Sequence, residues 1–200
     1  GMALINDIYR QGHPNQWIPL SRAFALTYLA AKDERWTDEA LASLEELPSE
    51  SQVPDMLAIA IARVKAVLTS MLQAKPLEHV AREQTLEAIL SSGPEQAVNI
   101  SLCQVAAAMG HTRLGLRLLH AALDNGRSIF GSGGGRHNAA MHLFNVSASP
   151  LRDDPEFARL CARLGLAQFW HTSGHWPDCA EEVPYDFRAE CEKARRQLAG

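Results

Sequence analysis

Apolar residues in this chain recur with essentially one period, that of an α-helix, and no other feature narrows the possible folds as much. Leu57, Ile61, Val64, Leu68 and Met71 follow one another in steps of four and three, one stripe of a long helix from about Pro54 to Ala74. Val98, Leu102, Val105 and Met109 repeat the pattern, Gly110 stops it, and "HTRLGLRLLHAALDNG" returns with Leu116, Leu119 and Leu123 inward. No stretch alternates with a two-residue period between hairpin turns, so the chain reads as all-α.

Other segments fit the same frame. Leu20 to Lys32 is a helix with Pro19 in its first turn, and "WTDEALASLEEL" follows with Thr37 as N-cap and Leu41, Leu44 and Leu47 at helical spacing. Pro76 ends the long helix, and "LEHVAREQTLEAILSSG" runs back to Gly93 and Pro94. Short connections make successive helices antiparallel neighbours. The returning helices close on "ASLEELPS", "LEAILSSG" and "LHAALDNG", a weak repeat with one longer spacer. Each hairpin alone leaves an apolar face bare, so stacking is what builds a core.

Bulk properties exclude several function classes. The 200 residues carry a formal net charge of −4 with pI near 6.1, which gives no general attraction to nucleic acid or an anionic membrane. The basic tail "EKARRQ" suits a helix C-terminus. The longest apolar run, "MLAIAIARVKAVL", contains Arg63 and Lys65, unlike a membrane span. Cys103, Cys161, Cys179 and Cys191 are too sparse for a disulfide framework, and "GMALINDIYRQG" lacks the build of an export signal. A cytoplasmic location is expected, and the Asn99 and Asn145 sequons then occur by chance.

The third helix pair resembles a tetratricopeptide repeat. Leu102 and Cys103 stand at its Leu-Gly pair, Gly110 at its turn glycine, Gly115 at its small crossing residue, and Leu119 and Ala122 at its packing positions. Ala106 replaces the usual aromatic, and Arg127 lies near the usual proline. Phe24, Ala25, Tyr28 and Ala40 occupy comparable places in the first pair. "SPLRDDPEFARLCARLGLAQFW" with "GHWPD" resembles the end segment of bacterial tetratricopeptide-like proteins, modules found behind winged-helix or adenylate-cyclase-like domains. The resemblance implies an α-α superhelix of antiparallel hairpins with a C-terminal helical cap, acting as a regulatory or scaffolding module for a protein or peptide partner. The first helix of each pair would line a concave face.

On this reading residues 1–200 form a single domain, with hairpins over about 16–126, a Gly-rich linker over 127–149 and a cap over 150–200. Within the cap Asp154 is the N-cap and Pro155 the first helical residue, Phe157, Leu160 and Leu164 face inward, and Gly165 stops the helix. Phe169 and Trp170 open a short helix ended by Gly174, and Trp176-Pro177 turns the chain back. Trp170 and Trp176 are expected to be buried.

The alternative reading, a zinc-binding enzyme or metal-stabilised domain, rests on "WHTSGHWPDC". His171, His175, Cys179 and Cys191 supply the ligand types and number that tetrahedral zinc takes. Against it, Gly174 interrupts the helix that would hold the two imidazoles on one face, and no CxxC knuckle pre-organises the thiolates. "GSGGGRHN" at 131–138 lacks the lysine and preceding strand of a phosphate loop and reads as a linker. No HExxH or GxSxG is present, and Glu45-Glu46 and Glu181-Glu182 read as solvated surface. His79, His111 and His120 read as structural histidines. The expectation is therefore a protein without catalytic residues, metal or cofactor, and with no nucleic-acid or membrane partner.

Overall fold

The computed structural model of the chain describes residues 17–48, 55–91, 100–126, 129 and 141–199. Among these residues there are eleven α-helices, three short 3₁₀ turns and no strand. None of the helices is long and apolar enough to cross a membrane. The helices gather into two compact units, residues 1–92 and 93–200.

In the first unit, α1 (Trp17–Lys32) packs on α2 (Thr37–Glu45) and α3 (Asp55–Ala74), and α3 packs on α4 (His79–Ser91). Leu26, Ala30, Leu44, Leu68, Met71 and Leu86 are fully buried, so the helical stripes do turn inward. Thr37 is the first residue of α2 rather than its cap. Asp33 takes the capping role earlier, accepting from the Arg35 amide at 3.1 Å and opening the 3₁₀ turn Glu34–Trp36 that runs straight into α2. Lys75 donates to the Ala30 carbonyl, an orphan acceptor in the last turn of α1. Arg22 bridges Glu39 and Glu46 from α1 to α2, and such exposed ion pairs add little beyond setting the approach.

The second unit is built on α5 (Ile100–Ala108) and α6 (Thr112–Asp124), joined through Gly110 at φ +89°. Only glycine adopts that angle readily, and the three-residue connection Met109 to His111 needs it to reverse the chain. α6 buries Leu114, Leu116, Leu118 and Leu119, each worth about 1.5–3 kcal/mol of transfer free energy. Leu123 is only half-buried at the helix end. Gly115 sits where the helices approach: a methyl there would lie 3.1 Å from the Cys103 carbonyl oxygen and 3.2 Å from Leu151 Cδ2.

α5 is covered on every side from Leu102 to Ala107. Part of that cover comes from residues the linker expectation assigned to a spacer. α7 (Met141–Phe144), the turn Val146–Ala148 and α8 (Ser149–Arg152) place Leu143, Ala148 and Leu151 at zero exposure. Buried Gln104 of α5 donates to the His142 carbonyl at 2.6 Å, and Ser147 Oγ lies 2.8 Å from Gln104 Oε1. Buried Arg152 donates to the Asn145 carbonyl at 2.8 Å. A buried amide and guanidinium must find partners, so these bonds order the segment that glycine content alone would leave as linker.

α9 (Glu156–Arg163), α10 (Leu166–Ser173) and α11 (Phe187–Ala199) complete the unit. α9 starts one residue later than Pro155, yet Asp154 still caps it, its Oδ1 accepting from the Glu156 amide at 3.0 Å. Phe157 and Leu160 are fully buried and Leu164 half-buried. Gly165 at φ +80° both ends α9 and starts α10.

Replacing Gly115 by valine forces a branched side chain against the Cys103 backbone. Gly115→Val is expected to cost about 1–3 kcal/mol or more, as overpacking does, despite removing a helical glycine. Urea denaturation followed by helical circular dichroism measures it, and an unchanged midpoint would mean the α5–α6 approach is looser than described.

Candidate functional site

The segment "WHTSGHWPDC" closes the second unit through its rings. α10 carries Trp170 inward at 6% exposure, with Phe144 at 5.8 Å, Phe187 at 5.6 Å and Trp176 at 5.9 Å between ring centroids. Phe187 also meets Phe157 at 6.3 Å and Tyr185 at 6.3 Å. Trp176 is half-buried rather than enclosed, with the Arg188 guanidinium 5.7 Å from its ring. α10 begins at Leu166, ahead of Phe169, and Phe169 itself is turned outward at 61% exposure.

Gly174 ends α10 in the left-handed region at φ +72°, so His171 and His175 do not share a helical face. His171 pairs through Nδ1 with Glu192 Oε1 of α11 at 2.6 Å. Glu192 is held below its usual carboxylate range first by its hydrogen bonds from Arg195, then by His171, against a desolvation that acts the other way. A carboxylate on Nδ1 selects the tautomer with a free Nε2 lone pair, as metal ligands and general bases use. His175 instead turns Nδ1 onto the Ser173 carbonyl at 2.9 Å, a bond within its own loop.

The two cysteines of the set lie elsewhere. Cys179 and Cys191 are buried, and the Cys191 thiol points at the Ala158 carbonyl, 3.9 Å away. Both histidines are exposed. Consequently no three of His171, His175, Cys179 and Cys191 bring their ligand atoms within 4.8 Å of one another. The residue that joins Cys179 and Cys191 inside is Cys161 of α9, whose thiol burial pushes up with the other two thiols acting in the same direction. Burial likewise pushes Cys191 and Cys103 up to about 12, and raises Cys179. A thiol raised that far holds very little thiolate, the attacking form, at neutral pH.

Two partnerships here left no trace in the sequence. Glu192 lies far along the chain from His171, and Cys161 precedes the His/Cys cluster, so only helix packing joins them. The glycine run at 131–138 lies outside the described residues. Comparison of the chain with protein-family models, with characterised proteins and with solved structures returns no match.

Trp170→Ala is expected to cost about 3–5 kcal/mol in denaturant titration, the usual loss for a large core ring. Phe169→Ala, one residue away but exposed, should stay within about 0.5 kcal/mol. Equal effects would overturn the assignment of the inward face of α10.

A second expectation concerns the thiols. Raised to about 12, Cys103 and Cys191 hold roughly a thousandfold less thiolate than a free thiol. Ellman's reagent should therefore label the native chain slowly and all four cysteines promptly in guanidinium. Fast native labelling would show that the thiol cluster is open.

Proposed function

We infer that this chain is a non-enzymatic module that binds a protein or peptide, built on tetratricopeptide-like helical hairpins with a C-terminal cap. The observation that carries the reading is the contact between Cys103 and Gly115. These are the two small positions of the repeat-like pattern, and they face each other where α5 and α6 approach, with a Gly115 methyl only 3.4 Å from Cys103 Cβ. The close crossing of a helical hairpin through small residues is what that repeat uses to build a binding scaffold.

The site chemistry supports binding over catalysis. The thiols are buried with raised pKa values, and His175 bonds within its own loop. α5 has no free face, since residues 142–148 cover its Gln104 side. The partner contacts therefore fall on the outer surface of the unit, where Val146, Phe169 and Leu198 expose apolar side chains at 82%, 61% and 54%.

The test is quantitative cross-linking and affinity capture from the native source, comparing the wild-type chain with Phe169→Ser and Leu198→Ser. A protein or peptide should bind saturably to the wild type, and a surface substitution should weaken it about tenfold, equivalent to 1.4 kcal/mol, with the melting curve unchanged. Absence of a saturable ligand, together with stoichiometric zinc whose removal lowers stability, would favour the metal-stabilised reading instead.

A further inference from the structure

One titratable side chain in the second unit sits where two helices are latched together. His120 projects from α6 toward α9, and its side chain is 14% exposed. Its two ring nitrogens meet different groups. Nδ1 lies 3.1 Å from Arg163 Nη1, and Nε2 lies 3.4 Å from the Glu156 carbonyl oxygen and 3.6 Å from a Glu156 carboxylate oxygen.

The protonation state follows from the donors. A guanidinium has only N–H groups to offer, so His120 Nδ1 must accept, and Nε2–H then donates to Glu156. Arg163 is itself fixed: the same Nη1 donates to the His120 carbonyl at 3.1 Å and Nη2 donates to Asp124 at 2.5 Å. The neutral ring thus stitches the end of α6 to both ends of α9. A proton on Nδ1 would abolish the acceptor and set a second cation against Arg163.

We propose that the α6–α9 seam is an acid-opened clasp, shut while His120 is neutral and released when Nδ1 takes a proton. Burial sets the direction, and the charges around the ring act beside it. α9 brings Arg163 and Arg159, which resist protonation, and Glu156, which favours it. α6 brings Arg117 one turn before and Asp124 one turn after, the latter engaged by Arg163. α5 contributes only the buried thiol of Cys103, and the one charged side chain of α8, Arg152, is turned to the carbonyls of Leu143 and Asn145.

Burial is the largest influence and lowers His120 below its ordinary 6.5, with Arg163 and Arg159 acting the same way against Glu156. A histidine depressed in the folded state stabilises the clasp fully above the unfolded value. That contribution is lost as pH falls from about 6.5 through the lowered value. Leu119 of α6 and Leu160 of α9 are fully buried.

Hydrogen exchange on the full chain at pH 7.5 and 5.5, corrected for intrinsic rates, reads the clasp directly. Protection in 112–124 and 156–163 should fall on acidification, by at most about tenfold per pH unit for one proton. Helices α1 to α4 should not follow. His120→Gln, which cannot titrate, should show no such pH dependence. Glu156→Gln removes the carboxylate that favours the proton, and should steepen the acid loss even if the glutamine variant at 120 fails to fold. Flat wild-type protection, an unchanged acid response in His120→Gln, or a shallower one in Glu156→Gln would each overturn the proposal.

Discussion

Phe187 is the side chain on which the second unit depends. It has no exposure and meets four other rings, from Phe157, Trp170, Trp176 and Tyr185, at centroid separations of 5.6 to 6.4 Å. Those rings come from α9, α10, the following loop and the approach to α11, elements that are individually too short to hold themselves as helices in water. Eight-residue helices persist here because one aromatic cluster buries a face of each. The edge-to-face and tilted geometries add a directional preference that aliphatic packing would not supply.

A polar counterpart organises the other side of the unit. Gln104, Asn145, Ser147 and Arg152 satisfy one another and the carbonyls of 142–145, so the backbone between α7 and α8 is specified although its helices are four residues each. Buried Arg152 donates to the Leu143 and Asn145 carbonyls, and its removal would take that donor from both. This network, rather than helix propensity, makes a folded segment out of what composition describes as linker.

The same unit holds two histidines in opposite circumstances. His171 is exposed and offered a carboxylate, a surface pair worth at most about 1 kcal/mol. His120 is mostly enclosed and offered a guanidinium, so its neutral form is part of the packing. Position on the fold, and not residue type, separates a surface ion pair from a seam that feels pH. The thiols follow the same rule: Cys161, Cys179 and Cys191 are raised above the ordinary thiol range because they are inside.

The helices themselves were determined locally. Periods near 3.6, Gly110, Gly165 and Gly174 at the stops, and Asp154 before α9 are readable because helix formation and termination depend on neighbours a few residues apart. The exclusion of a membrane-crossing helix was equally local, resting on charges within one apolar run. Partnerships across the fold were not legible. Trp176 and Phe169 lie close to Trp170 in sequence, yet one is half-buried and the other exposed, because burial depends on what α11 and Arg188 bring. His171 with Glu192, His120 with Arg163, and Cys161 with the two later cysteines join residues 18 to 43 positions apart by packing across the fold. Sequence spacing placed two histidines and two cysteines in one short span, and the left-handed Gly174 with the turn behind it put the imidazoles outside and the thiols inside. Ligand sets and charge pairs are properties of distance in space, and distance in space is set by the cores that bury Phe187 and Leu119.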